Sequence, residues 1–372
     1  MKLLILTYST GDGHNAAAEA IYEKAVSLGH DAEIAYSGEY GKDKKLKLAD
    51  KFYINLLKYT PSVFGAIYKL GEVYNKTKIV SPVYLANKTK SRKLLDYVQE
   101  NNIEAIICTH LYPMETITAC KKKGKLNIPC YGVMTDYTYI PFTNETKLEG
   151  YFLAHESLKD EYVKKGVDSD RIYATSIPVK SKFADNLSKE QARNYLVIPN
   201  NRKVYLIMSG GVGCGNIVEI CDKLNAKTED DALIYVLVGR NDQIKEKIAK
   251  KFGCNSKIWA VTFTDKVNLY MKAADVLITK PGGLTSTEAA VAGVPIVHLL
   301  AMQGCETKNA KLFEKYGMSK FAHSTDEAVE MAVELANNPD LSSKMIEMQA
   351  KNINANASLD IIKVMENDTR HD

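Results

Sequence analysis

Short apolar runs alternate with helical patterns along most of the 372-residue chain. In the first half candidate strands fall at 2–8, 31–36, 103–108, 129–134, 150–154 and 171–175, most of them apolar without alternation, as strands buried on both faces are. Helical patterns fall at 14–28, 112–123 and 156–165, and a basic, largely helical insertion occupies 44–98. A polar stretch around Pro199 then carries one helix. A second series follows, with strands at 203–208, 233–238, 257–261, 275–279 and 295–300 and helical segments from about 307, 324 and 341. Such alternation predicts an α/β chain of doubly wound parallel sheets with helices on both faces. The length suits two domains, each with its own core. The predicted division is 1–178, a linker over 179–200, a second domain over 201–340 and a last helix over 341–372.

Composition adds limits. No run approaches the ~18–20 apolar residues that span a bilayer. The opening residues 1–8 read as a first strand, not as a leader peptide. Seven cysteines, odd in number and without a CxxC pair, predict reduced and mostly buried thiols in a cytoplasmic protein. Net charge is only +4, yet from Lys42 to Lys93 thirteen basic residues face three acidic ones. Phe52, Tyr53, Leu56, Leu57, Phe64 and Tyr68 are interleaved with lysines such as Lys51. Over about 42–95 this mixture suits an anionic membrane surface, where each basic residue adds roughly 1 kcal/mol. Nucleic acid competes for such a patch, and a solvated face with core aromatics has the same composition.

Candidate chemistry sits at two strand ends. Lys280-Pro281-Gly282-Gly283-Leu284-Thr285-Ser286-Thr287-Glu288-Ala289 follows one apolar run and opens a helix. A glycine pair at a helix N-terminus suits a phosphate, and Glu288 one turn later suits sugar hydroxyls. A tight turn with an ordinary first-turn acid has the same spacing. Gly11-Asp12-Gly13-His14 follows the first strand and leads into Ala16-Ala17-Ala18, small residues that let a helix lie close to a sheet. No third glycine completes a dinucleotide fingerprint. His14 is placed to act as a base or merely to cap its turn. The single D-x-D, Asp168-Ser169-Asp170, lies between a helix end and a strand and reads as a surface turn.

Together the two motifs resemble the processive diacylglycerol glycosyltransferases and plant-type monogalactosyldiacylglycerol synthases. The transferase that adds N-acetylglucosamine to the lipid-linked peptidoglycan precursor is a more distant likeness. Val133-Met134-Thr135-Asp136, Ser209-Gly210-Gly211 and Val238-Gly239-Arg240-Asn241 match further segments of that family in order. Cys305 stands in place of the family's usual glutamine, and no histidine follows Asp136. The resemblance implies a GT-B fold, two Rossmann-like domains facing across a cleft, with the last helix crossing back onto the first. It implies inverting transfer of glucose or galactose from a UDP-sugar to diacylglycerol, or alternatively of N-acetylglucosamine to another lipid-linked or small-molecule acceptor. His14 and Asp136 are the implied catalytic residues. Gly13, Gly210, Gly211, Arg240, Phe263, Gly282, Gly283, Leu284, Thr285, Glu288, Glu306 and Asn309 are implied for the donor. In that set Glu288 holds ribose, Glu306 and Asn309 hold the sugar, and Phe263 either packs on uracil or belongs to the core. Lys51, Phe52, Tyr53, Leu56, Leu57, Phe64 and Tyr68 are implied for acceptor and membrane. No metal, cofactor or nucleic acid is expected, and the expected location is the cytoplasmic face of the cell membrane. A soluble epimerase-type enzyme and a non-catalytic binding protein are the other classes open to this sequence.

Overall fold

A computed structural model describes residues 1–8, 12–36, 81–208, 217–299 and 304–369. The chain divides into two units, Met1–Lys180 with the segment from Asn356 onward, and Ser181–Ala355.

The first unit holds strands β1 (Lys2–Thr7), β2 (Asp31–Tyr36), β3 (Ala105–Cys108), β4 (Cys130–Val133), β5 (Gly150–Leu153) and β6 (Ile172–Ala174). They form one parallel sheet in the order β2-β1-β3-β4-β5-β6, with Leu3 opposite Ala105 and Leu6 opposite Cys108. Leu3, Leu4, Ile5 and Leu6 are fully buried, which explains why the run is apolar without alternation. Helix α1 (Asp12–Ser27) lays Ala17, Ala18, Ala20, Ile21 and Ala25 on this sheet. The C-terminal helix Ala357–Thr369 joins the same core through Ile361, Ile362 and Met365, beside Leu3, Ile5 and Ile21. Two polar contacts hold it there: the Tyr131 hydroxyl donates to Asp368 at 2.9 Å, and His30 lies 3.0 Å from Glu366.

Residues 81–100 form helices α2 (Pro82–Lys88) and α3 (Ser91–Glu100), both packed on α4 (Leu111–Lys122). Ser81 caps α2 through Tyr84 N–H, and Leu94 and Tyr84 are buried. The Lys122 ammonium sits 4.4 Å above the Tyr84 ring. The end of the basic stretch is thus part of the layer that covers the sheet. Lys51, Phe52, Tyr53, Leu56, Leu57, Phe64 and Tyr68 lie outside the described residues.

The second unit holds β7 (Val204–Met208), β8 (Leu233–Gly239), β9 (Ile258–Thr262), β10 (Val276–Thr279), β11 (Ile296–Leu299) and β12 (Lys320–Ala322). Their order is β12-β11-β10-β7-β8-β9, again all parallel. β12 was not foreseen, because three residues opened by a lysine carry no readable period. Residues 188–204 are tied to the start of β10: Arg193 donates to Asp275 and to the Ala273 carbonyl, each at 2.9 Å. Asp275 also accepts Val204 N–H at 2.7 Å. α5 (Gly283–Ala292) follows β10 and ends on Gly293, whose φ of +72° only glycine adopts cheaply. α6 (Cys305–Lys315) follows β11.

The six described cysteines are free, and Cys108, Cys120, Cys130 and Cys221 are buried.

Candidate active site

In each sheet the chain reverses its winding direction once. The reversal lies between β1 and β3 in the first unit and between β7 and β10 in the second. Open α/β sheets bind ligands outside the carboxyl ends of the strands at such points.

In the first unit Thr7 and Tyr8 stand at the end of β1, Thr109 and His110 follow β3, and Thr135 and Asp136 lie just past the neighbouring β4. His14 stands among them, in the first turn of α1. Its Nδ1 lies 2.9 Å from the Thr109 carbonyl and 2.9 Å from the Thr135 hydroxyl. A carbonyl can only accept, so Nδ1 carries the proton and Nε2 carries the lone pair. The Thr109 hydroxyl lies 2.9 Å from that of Thr7 and 3.0 Å from the His14 carbonyl, tying two strand ends and α1 together. Thr7 in turn donates to Asn15 at 3.1 Å. Burial holds the His14 imidazole below the usual 6.5, opposed by the bond to Thr109. The ring is therefore neutral near pH 7. Asp136 is half-buried, one residue beyond the threonine that touches the ring. Gly13, also half-buried, precedes His14 in the same turn.

The sequence did not single out His110. It caps α4, its Nδ1 accepting Tyr112 N–H at 3.1 Å, and its ring meets that of His14 edge-on, centroids 4.6 Å apart. Tyr8 and Tyr112 pack on His110 at 5.4 and 4.5 Å, and the Lys90 ammonium lies 5.3 Å over Tyr8. Burial lowers the His110 pKa well below 6.5, helped by His14 and Lys90. Its position directly after a predicted strand, as for His14, was the signal that could have found it.

In the second unit α5 separates its side chains cleanly. Ser286, Thr287, Ala289 and Ala290 are buried, whereas Leu284, Thr285 and Glu288 share a half-buried face. Gly282 is the N-cap with φ −71°, and a Cβ there would meet open space. Neither conformation nor internal packing requires this glycine, so what it leaves clear is the approach to the N–H groups of Gly283 and Leu284. Those donors have no partner within a helix. Lys280 and Glu306 pair at 2.6 Å beneath the turn, and buried Asn309 donates to the Pro281 carbonyl at 3.0 Å. Glu306 and Asn309 thus brace the glycine turn; Glu306 keeps its second oxygen, Oε2, buried without a hydrogen bond among the described residues. His298, fully buried on β11, bridges Ser286 at 2.9 Å and Ser319 at 3.0 Å, fixing α5 against the sheet. Burial pushes its pKa down to about 3, so it stays neutral.

Phe263, just past β9, is 65% exposed and so is no core residue. The Arg240 guanidinium, just past β8, stacks 4.8 Å over it. Gly210 and Gly211 lie outside the described residues. Asp168 caps its own turn through Asp170 N–H, and among the described residues no cluster of three His, Cys, Asp or Glu side chains is placed to hold a metal.

The comparisons follow this layout. Residues 14–179 match the family model for monogalactosyldiacylglycerol synthase, and residues 205–365 match the glycosyltransferase family 28 C-terminal domain. The processive diacylglycerol beta-glucosyltransferase of Bacillus subtilis (strain 168) is 27% identical over 351 residues, 92% of this chain and 89% of that protein. The protein of the same name from Staphylococcus aureus (strain MRSA252) is 27% identical over 359 residues, 93% of this chain and 87% of its own. Among solved structures, Acinetobacter baumannii MurG superposes with a TM-score of 0.64 at 13% identity, covering 99% of this chain and all (100%) of that one. UDP-GlcNAc 2-epimerase from Neisseria meningitidis gives 0.64 at 14% identity, with coverage of 99% and 100%. At such identities these structures speak for the fold, two Rossmann-like units of the GT-B class. With family models matched in both units and relatives aligned over about nine-tenths of its length, the chain belongs to the monogalactosyldiacylglycerol synthase family, with a C-terminal domain of glycosyltransferase family 28.

Proposed function

We propose that this protein transfers a hexosyl group from a UDP-sugar to the free hydroxyl of diacylglycerol, with inversion at the anomeric carbon. The observation that carries the reading is His14: a neutral imidazole, its Nδ1 proton committed to a backbone carbonyl, at the winding reversal of the first sheet. A primary alcohol is too weak an acid to attack unaided, and a base with its pKa below neutrality is unprotonated when the alcohol arrives. Nε2 takes the hydroxyl proton as the oxygen closes on the anomeric carbon, and UDP leaves with the bonding pair. Asp136 completes the acceptor side and favours the imidazolium formed during the step.

The second unit holds the donor. The diphosphate gains charge as it departs, and the N–H groups of Gly283 and Leu284 with the α5 dipole stabilise it. Glu288, on the open face of that helix, takes ribose hydroxyls. Arg240 and exposed Phe263 form a flat platform for uracil. Glu306 offers Oε2 to the sugar, and Asn309 acts by shaping the turn. Gly13, Gly210, Gly211 and Thr285 complete the donor set. The basic, aromatic segment over about 42–95 brings the enzyme to an anionic membrane face on the cytoplasmic side, where its acceptor resides.

The test is UDP release from a panel of UDP-sugars with dispersed diacylglycerol, followed by product mass. A hexosyl-diacylglycerol mass with one of the sugars is the expected result. UDP release that does not depend on diacylglycerol with every sugar would sink the reading.

A further inference from the structure

We infer that His110 is a second acceptor-binding residue, its Nε2–H donating to the same hydroxyl oxygen that gives its proton to His14. The inference rests on the transfer reaction proposed above. Its basis is that backbone bonds set the two rings in opposite tautomers. The Thr109 carbonyl at 2.9 Å requires a proton on His14 Nδ1, leaving a lone pair on Nε2. Tyr112 N–H at 3.1 Å requires a lone pair on His110 Nδ1, leaving the proton on Nε2. One imidazole therefore accepts at its outer nitrogen and the other donates.

The rings are neighbours, His14 in the first turn of α1 and His110 at the N-cap of α4, both partly buried, with centroids 4.6 Å apart. Two hydrogen bonds of about 2.8 Å made to one tetrahedral oxygen set the two outer nitrogens about 4.6 Å apart, which is the separation the proposal requires of them. An alcohol oxygen has four tetrahedral directions. One is its carbon, one its proton directed to His14, one a lone pair receiving His110, and the last a lone pair aimed at the anomeric carbon. The balance is complete: the oxygen–carbon bond forms, the bond to UDP breaks, and the proton ends on His14 before passing to water. His110 Nε2–H steadies the charge that gathers on oxygen meanwhile. Tyr8 and Tyr112, packed on His110, fix its ring plane.

Asparagine reproduces the Nδ1 acceptor of histidine, and glutamine reproduces the Nε2 donor. His110→Asn keeps the helix cap and loses the proposed bond; His110→Gln does the reverse. In the transfer assay, His110→Asn should lose at least tenfold in kcat/KM for diacylglycerol with unchanged UDP affinity. His110→Gln should stay within threefold of wild type. Wild-type activity in the Asn variant, or equal loss in both, overturns the inference. If loss of the cap lowers the Tm of the Gln variant, the Asn variant alone decides. Nitrogen-15 NMR of histidine-labelled protein supplies a readout that needs no acceptor: His14 should appear as the Nδ1–H and His110 as the Nε2–H form. The opposite form at either ring overturns the pairing. A wild type silent toward diacylglycerol, with these tautomers in place, counts instead against the reaction.

Discussion

The role proposed for His14 rests on partial burial and on an Nδ1 committed to a backbone carbonyl. Burial disfavours the imidazolium, so its folded pKa lies below 6.5 and the base form persists to lower pH. As pH falls, kcat/KM should therefore decline with a midpoint below 6.5, read from the acid limb of the rate profile; a midpoint above 6.5 would contradict the assignment. Gly282 makes the complementary case in the second unit. A methyl there meets open space and φ is ordinary, so Gly282→Ala should leave Tm unchanged. It should raise KM for the UDP-sugar by about tenfold, roughly 1.4 kcal/mol of lost donor contact. His14 and the glycine pair were both readable in the sequence, since each follows an apolar run. His110 also follows an apolar run and was passed over, whereas His298 lies within β11 and its contacts with Ser286 and Ser319 exist only in the fold.

At the scale of elements, α4 carries an unusual burden. Glu115 is fully buried within it, and neither carboxyl oxygen has a hydrogen bond among the described residues. Burial, with Glu145 alongside, raises its pKa to about 10. In the folded protein it keeps a proton that the unfolded chain releases above about 4.5. Its contribution to stability therefore falls as pH rises from 4.5 towards 10. Glu115→Gln should melt higher than wild type at pH 8, with the gap closing as pH approaches 4.5; a gap that does not depend on pH would contradict this. Nothing in the apolar pattern reveals the pairing, because Glu115 and Glu145 belong to segments that only the fold apposes. The helices at 81–100 teach the same lesson. Their charge suggested a surface role, while their buried face belongs to α4.

For the whole molecule, the basic stretch and the two units raise separate questions. Flotation with anionic vesicles should carry the protein at low salt and release it at high salt, neutral vesicles carrying little. Binding that is equal on both surfaces would remove the electrostatic role of the stretch. The C-terminal helix gives a direct check on how the first unit is completed. Ile361→Ala removes a fully buried side chain and should cost about 2–5 kcal/mol, seen in denaturant unfolding.

The sequence by itself determined the alternation of strands and helices, the count of two α/β units and the glycine turns at their strand ends. Those are local properties: buried parallel strands must be apolar, and tight strand-to-helix turns take glycine. Tertiary structure alone decided which strand ends are neighbours, and with that the carbonyl and hydroxyl that flank His14 Nδ1 and the His110 ring beside it. It also showed Glu306 and Asn309 bracing the glycine turn and placed Phe263 in solvent. Hydrogen bonds between residues some hundred positions apart leave no period in a chain, so only the closed sheets could reveal them.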